Sequence, residues 1–419
     1  MKTTIFMIKD EVESFPFAFK VAIHSIPGVL KFLQKDSLHK NGDHIAGYHK
    51  AIPEFDGIKS VIQFQNPNFR KSSFDSMYYH YYCSHLFFKF VVSVDVQLLN
   101  TFEIMHQGDP IEALVRFLKA RDGNVPKAYK MLVDCLDWRI QNKIDDILSK
   151  PIVPADFYRG VRDSQLIGMS GYTKEGRPVF AVGVGLSTYD KASIHYYVQS
   201  HIQINEYRDR IIAPAAMKKF ERHISTCIKV LDMTGLKLSQ LSQLKLLTVI
   251  SSIDDLNYPE KTDSYYIVNA PYIFSACWKV VKPLLQERTR KKVQVLSGCG
   301  REELLKIMDY DSLPHFCKSE GSGSGSSKHS RTRTSDDNCF SLDHGFHQEL
   351  YNYINHQAEA MESRAMVSQK SFHVAFPEPD PDDEMIAQTI ESEFQKLSGQ
   401  NEVADKLDDL TVNEDKERK

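Results

Sequence analysis

The stretch YYIVNAPYIFSACWKVVKPLLQERTRKK, residues 265–292, limits the possible folds of this chain more than any other. It opens as a short apolar strand, Tyr265 to Val268, turns at Asn269-Ala270-Pro271, and runs into a helix. Ser275, Lys279, Lys282 and Gln286 form one narrow polar stripe on that helix, and almost everything else on it is apolar. A surface helix needs an apolar stripe only somewhat wider than a quarter-turn. Two readings fit the excess. The helix is central core, and its cationic end (Arg288, Arg290, Lys291, Lys292) complements its own dipole. Alternatively, one face packs on the domain while another covers a lipid-filled cavity, with the cations at the mouth to hold a phosphate. Composition alone does not separate the two.

The surrounding pattern predicts an α/β domain. Pro178 to Val184, Cys227 to Leu231, Tyr265 to Val268 and Lys292 to Leu296 read as strands. Long amphipathic helices between the last three make β-α-β crossovers and a largely parallel sheet. Ahead of it, residues 103–148 read as an all-helical piece. Ile111, Leu114, Val115, Phe117 and Leu118 follow a helical period that Asp122-Gly123 ends, and Asn124 caps the next helix. Residues 1–102 show weak periodicity and an aromatic-dense run, MYYHYYCSHLFFKF. Residues 319–339 read as a flexible Gly/Ser-rich linker. Residues 340–419 read as a partly disordered tail with two short helices. The first is capped by Asp343 and carries Phe346, Leu350 and Ile354, and the second carries Ile386, Ile390, Phe394 and Leu397.

Several functional classes are excluded by charge and motif. A net charge of −3 gives no basic field for nucleic acid. The best candidate for a membrane span, Leu86 to Leu99, is too short and is broken by Lys89, Ser93 and Asp95. Charges at Lys9, Asp10, Glu11 and Glu13 argue against a signal peptide. The seven cysteines have no paired spacing, which predicts free thiols and a reducing, cytoplasmic compartment. No serine elbow, phosphate-binding lysine loop or zinc-protease motif is present, so no catalytic residue is assigned and no enzyme is expected. Gly183-Val184-Gly185 reads as a strand-to-loop transition, and residues 297–305 as an ordinary strand-to-helix loop that could otherwise hold an anion. His315, Cys317 and Cys339 match no zinc spacing, so no metal is expected. Asp232, at a strand end, is expected to order a loop.

Five longer motifs carry a resemblance: LVRFLKARDGNVPKAYKMLVDCLDWR (114–139), EGRPVFAVGVG (175–185), KVLDMTGLKLSQLSQLKLL (229–247), NYPEKTDSYYIVNAPYIFSACWKVVKPLL (257–285) and LLKIMDYDSLPHFC (304–317). In this order they resemble the CRAL-TRIO lipid-binding family, in its phosphatidylinositol/phosphatidylcholine transfer branch and most like plant members. The resemblance implies a lipid-binding domain over residues 149–318, with the helical subdomain before it. It also implies a mixed, largely parallel sheet and a gating helix over an apolar cavity. It makes the helix after Pro271 the gate, with Tyr272, Phe274, Trp278, Val281 and Leu285 on the acyl cavity. It carries the phosphatidylinositol headgroup residues onto Arg121, Glu260, Thr289 and Lys292, all of the family's residue types. At the family's phosphatidylcholine pocket this chain departs, with Cys227, Lys229, Phe180 and Asp254 where hydroxyl residues and a tyrosine are usual.

The implied function is extraction of phosphatidylinositol and its delivery to another membrane or to a lipid kinase, with exchange for phosphatidylcholine as an option. The expected protein is a monomer touching Golgi or plasma membrane peripherally, with bound phospholipid and no cofactor. A carrier of another hydrophobic ligand, such as a sterol or tocopherol, and a non-catalytic trafficking scaffold are the alternatives. Because the motifs lie between them, residues 1–100 and 340–419 are expected to be dispensable for lipid binding.

Overall fold

The computed structural model describes residues 94–237, 243–272, 274, 278–279, 282, 287–318, 338–362, 374–376, 381, 383–393 and 395–396. The extension before residue 94, most of the linker, and Val281, Leu285, Phe394 and Leu397 lie outside the described residues. The chain forms two units, Met1–Val94 with Arg121–Tyr129, and Asp95–Ala120 with Lys130–Lys419. In the first unit, the Arg121 carbonyl accepts from Asn124 N at 2.9 Å. Asn124 Oδ1 in turn accepts from Lys127 N at 3.0 Å, the expected cap.

The second unit is built on one five-stranded sheet in sequence order: β1 (Ile167–Tyr172), β2 (Pro178–Gly183), β3 (Cys227–Asp232), β4 (Thr262–Val268) and β5 (Val293–Val295). β1 and β2 form an antiparallel pair, and β2 to β5 run parallel. β2 is apolar along its length and buried at five of its six positions, as suits a strand covered on both faces. The four strands read from sequence are present within one to three residues, so the α/β expectation holds. β1 was missed because IGMSGY carries two glycines, poor strand formers. Gly168 is there for space: a Cβ would sit 1.8 Å from the Cys339 carbonyl oxygen.

The helices before the sheet are α1 (Val96–His106), α2 (Pro110–Lys119), α3 (Val125–Gln141) and α4 (Ala155–Ser164). The boundary read at residue 103 therefore falls inside a helix. Asp95 caps α1 eight residues earlier by accepting from Leu98 N at 2.9 Å. Asp109 caps α2 in the same way through Glu112 N, with Pro110 in the first turn.

Helix α5 (Ile194–Tyr207) is buried at every position from Tyr197 to Tyr207, although six of those residues are polar or charged. Each of these six is met by side chains or backbone of the surrounding elements: Gln199 and Gln203 both donate to the Lys150 carbonyl. Ser200 Oγ accepts from Arg162 Nη1 at 3.0 Å. Glu206 accepts two hydrogen bonds from Arg139, at 2.8 and 3.0 Å, and one from Tyr258 at 2.7 Å, and it pairs with Arg210 at 2.7 Å. Arg139 also reaches Asp145 at 2.6 Å. Burial alone would raise the Glu206 carboxyl, but Arg139 and Arg210 outweigh it and hold the pKa at about 2.

After β3 come α7 (Leu244–Asn257), preceded in order by α6 (Ala213–Phe220), then α8 (Glu287–Lys292), α9 (Arg301–Ile307), α10 (His315–Lys318) and α11 (Gly345–Glu362). The tail corrects the sequence reading. α11 is 18 residues long rather than short, and His344, not Asp343, sits at its start, with Nδ1 accepting from Phe346 N. Its apolar spacing continues from Phe346, Leu350 and Ile354 to Ala358, and all four are buried. The first three belong to the same core cluster as Ile144, Tyr197 and Ile253. His347 lies between Arg162 Nη2 and the Cys339 carbonyl, at 3.0 Å from each. Burial, then the Arg162 charge, lower its pKa well below the usual histidine value, so the neutral ring accepts from Arg162 and donates to Cys339. Beyond α11, Ala375 N donates to Asn142 Oδ1 at 2.7 Å. Residues 383–393 are helical as expected.

Two outcomes follow from this packing. A chain ending at residue 318 loses three buried large apolar side chains, each worth roughly 1.5–3 kcal/mol. That total rivals the roughly 5–15 kcal/mol stability of a whole domain. Circular dichroism of this truncation is expected to show a protein largely unfolded at 37 °C, against the dispensability read from sequence. Glu206 has a folded pKa near 2 against an ordinary 4.5, so its contribution is fully present above pH 4.5 and is lost as pH falls toward 2. Glu206→Gln leaves the buried cations Arg139 and Arg210 to share the single carboxylate of Asp145 and is expected to cost about 3–5 kcal/mol in urea unfolding. It should also flatten the pH dependence of stability between 4.5 and 2.

Candidate lipid headgroup site

Glu260 sits in the turn between α7 and β4 with a positive φ of 58°, an uncommon conformation for a residue with a side chain. That turn is held from inside, because Tyr258 donates to the buried Glu206 and the Asn257 carbonyl accepts from Cys135 Sγ at 3.6 Å. Lys292 is the last residue of α8, directly before β5. The two meet, with Lys292 Nζ 2.7 Å from Glu260 Oε2 and both side chains mostly covered, 23% and 14% exposed. Thr289 lies three residues before Lys292 on α8, hence on the same face, and is half-buried. Arg290, Lys291 and Lys292 crowd the last turn of α8, and the exposed Lys291 pairs with Glu287 at 2.6 Å. Three of the four residues expected to hold the headgroup thus share one locality. The fourth, Arg121, is half-buried in the first unit.

In the segment leading to α8, Tyr272, Phe274, Trp278 and Lys279 are helical. Phe274 and Trp278, one turn apart and half-buried, stack with ring centroids 5.9 Å apart and planes 14° from parallel. Tyr272, read as a cavity residue, instead stands 84% exposed at the first position after Pro271. Lys279 and Lys282 are exposed as the polar stripe requires.

Two of the positions at which the chain departs from the resemblance, Lys229 and Asp254, form a second polar group. Lys229 Nζ lies 3.2 Å from Asp254 Oδ2, and Asp254 Oδ1 takes His201 at 2.7 Å and Asn205 Nδ2 at 2.8 Å. Burial alone would raise the Asp254 pKa; His201 and then Lys229 outweigh it and hold the carboxyl far below the usual range. The Lys229 ammonium also lies 5.9 Å from the Tyr265 ring centroid. Two of the departures, Lys229 and Asp254, are therefore one ion pair. His201 and Asn205 were missed by sequence reading, and the only signal was a lone cation in the apolar strand CIKVL.

The remaining candidates have ordinary roles. Asp232 Oδ1 accepts from Thr234 N, Thr234 Oγ1 and Asn269 Nδ2, ordering two loops as expected. Gly185 N donates to the Asp232 carbonyl in the same turn. His315 Nδ1 approaches Cys339 Sγ at 3.3 Å, but burial pushes that thiol up to about 12, which leaves it a poor nucleophile. Among the described residues, no group of three His, Cys, Asp or Glu side chains is arranged to hold a metal, and no helix is long and apolar enough to cross a membrane.

Comparison with known proteins agrees with this architecture. The CRAL/TRIO domain matches residues 162–318, and the CRAL/TRIO N-terminal domain matches residues 88–134, beginning earlier than the helical periodicity suggested. Phosphatidylinositol/phosphatidylcholine transfer protein SFH9 of Arabidopsis thaliana is 30% identical over 238 residues, 55% of this chain and 40% of its own length. SFH11 of the same plant, a protein of the same description, is 32% identical over 209 residues, 48% of this chain and 55% of its own. SEC14 cytosolic factor of Eremothecium gossypii is 30% identical over 212 residues, 48% of this chain and 66% of its own. The match thus spans about half the length of these relatives. The two matched segments, one holding Arg121 and the other Glu260, Thr289 and Lys292, therefore make up a CRAL/TRIO N-terminal domain and a CRAL/TRIO domain.

Proposed function

We propose that this protein binds phosphatidylinositol and carries it between membranes or presents it to a lipid kinase. The observation that supports this reading best is the half-buried Lys292–Glu260 pair at 2.7 Å, at the end of the apolar gating segment. The Lys292 ammonium has three N–H donors and Glu260 takes one of them, so the lipid phosphate can take another. Glu260 is acceptor-only, which suits the hydroxyl donors of an inositol ring and gives a choline headgroup nothing to donate. Thr289 Oγ1 adds a hydroxyl on the same face. Arg121 is the second phosphate cation in this reading, carried by the resemblance and the family match. The names of the relatives, phosphatidylinositol/phosphatidylcholine transfer proteins, support the lipid class.

No bond is made or broken in this mechanism. Acyl burial contributes about 0.8 kcal/mol per methylene and offsets the loss of the bilayer. The gate closes over the chains and opens against membrane hydrocarbon, so its apolar surface avoids water in both states. The exposed Tyr272 and the cations Lys279 and Lys282 then meet the membrane interface, where an aromatic ring and basic side chains suit the boundary and its anionic lipids. The protein works in this scheme as a monomer in the cytosol, touching Golgi or plasma membrane transiently.

Phosphatidylcholine is the disfavoured ligand. At the positions where the resemblance places its pocket, Lys229 already occupies the acceptor Asp254 and the face of Tyr265. A quaternary ammonium, which cannot donate a hydrogen bond, would meet a like charge there. Native mass spectrometry of the purified full chain is expected to find phosphatidylinositol in excess of phosphatidylcholine. Co-purified sterol in place of phospholipid would overturn the reading.

Lys292→Ala is expected to reduce phosphatidylinositol transfer between vesicles at least about tenfold, the loss of one charge-assisted contact. Its melting temperature should fall by no more than about 5 °C, because the pair is partly solvated. Transfer at the normal rate by this variant would remove Lys292 from the headgroup site. Phe274→Asp puts a charge where both closed and open gates need hydrocarbon contact, at a cost of several kcal/mol if unpaired. Its transfer rate should therefore fall much further than its stability. Unfolding of this variant, with no folded but inactive protein, would mark the segment as ordinary core.

A further inference from the structure

A second place in the fold is charged in a way the lipid reading does not use. Beside the Glu260 turn lies a small cavity of about 20 Å³, lined by the cations Arg116, Arg139, Arg210 and Lys261 and by the carboxylates Glu206 and Asp209. That volume admits one particle of about the size of a water molecule and is far too small for an inositol phosphate.

The charges around it do not balance. Arg139 and Arg210 share Glu206 and Asp145, two cations against two acids. Arg208 and Lys261 share a single acid, Asp209, at 2.8 and 3.0 Å. Arg116 faces Glu112, but at 3.7 Å, beyond hydrogen-bonding distance, and Glu112 also accepts from Ser225 Oγ. Asp109, the remaining acid near Arg116, has its side chain 47% exposed to solvent and faces His223 at 3.7 Å. Among the mostly buried groups, each no more than 26% exposed, the sum is five cations against four acids, one positive charge in excess where an unpaired charge is costly.

The Arg116 guanidinium is the group left wanting. It is 7% exposed, lines the cavity, and donates no hydrogen bond among the described residues. Lys261 lines the same cavity and has Asp209 as its one ionic contact among them. We propose that this cavity binds a small monovalent anion of the chloride class, held by Arg116 and Lys261, which neutralises the excess charge behind the Glu260 turn. The titration of Lys261 is consistent with this. Burial, then repulsion from Arg116 and Arg208 working against Asp209, bring its pKa down to about 8, a strain that a nearby anion relieves. Tyr258 and Pro259 connect the site to Glu260 through one turn, so occupancy is tied to the stability of that turn and not to lipid identity.

The test uses the full-length protein at constant ionic strength, with sodium chloride replaced stepwise by sodium gluconate. Above its dissociation constant, each roughly tenfold rise in chloride is expected to raise the melting temperature by about 4 °C. Bromide soaked into crystals should give an anomalous peak in contact with the Arg116 guanidinium. Lys261→Met leaves four cations against four acids and should abolish the difference between chloride and gluconate while the protein stays folded. Arg116→Gln should do the same, and if that variant fails to fold, Lys261→Met and the bromide map carry the test. Identical melting curves in the two salts, with no bromide peak in the cavity, would show that it holds water only and would overturn the proposal.

Discussion

The buried carboxylate of Glu206 is the contact on which the second unit depends. One side chain, 2% exposed, joins Arg139 of α3, Arg210 after α5 and Tyr258 after α7. Without those partners the end of α5 that carries Glu206 could not be buried, because its carboxylate would be left uncompensated in the interior. With them, the turn after α7 is fixed from beneath, and Glu260 is presented to Lys292 at 2.7 Å. A buried ion pair is weak evidence for added stability, since an apolar replacement is often as good. What it does supply here is register: it ties three separated segments to one point.

The polar side of the interior also sets what the sheet can offer a ligand. Lys229 and Asp254 come from β3 and α7 and satisfy each other, with His201 and Asn205 of α5 completing the carboxylate. A surface that is already internally paired has little to give a second headgroup. The Lys292–Glu260 pair differs in being partly open to solvent and in lying at the end of the gating segment, where a phosphate can join it. The contrast between these two pairs is the physical basis of the proposed preference for an inositol lipid.

The segment after the Gly/Ser-rich stretch is part of the second unit and not an appendage. α11 buries Phe346, Leu350 and Ile354 against the central cluster, and His347 is clasped between Arg162 and the Cys339 carbonyl. Gly168 of β1 has no room for a side chain because that same carbonyl lies against it. The sheet edge and the late helix therefore depend on each other, although about 170 residues separate them along the chain.

Periodicity and motif order in the sequence determined the strand-and-helix succession, the family, and the residue types at Glu260, Thr289 and Lys292. These are local properties: apolar alternation, caps such as Asp109 and Asn124, and short motifs survive without knowledge of what they touch. Tertiary structure alone decided the pairings. That Lys229 meets Asp254, that Arg139 meets Glu206, and that Tyr272 faces outward depends on which elements cross, and no single segment encodes it. β1 and α11 escaped for the same reason. The glycines of β1 make sense only beside Cys339, and the stripe of α11 acquires its weight only when the core it enters is known. Hydrophobic pattern fixes which face of an element is buried, whereas the identity of the partner on that face comes from chain topology, through contacts distant in sequence.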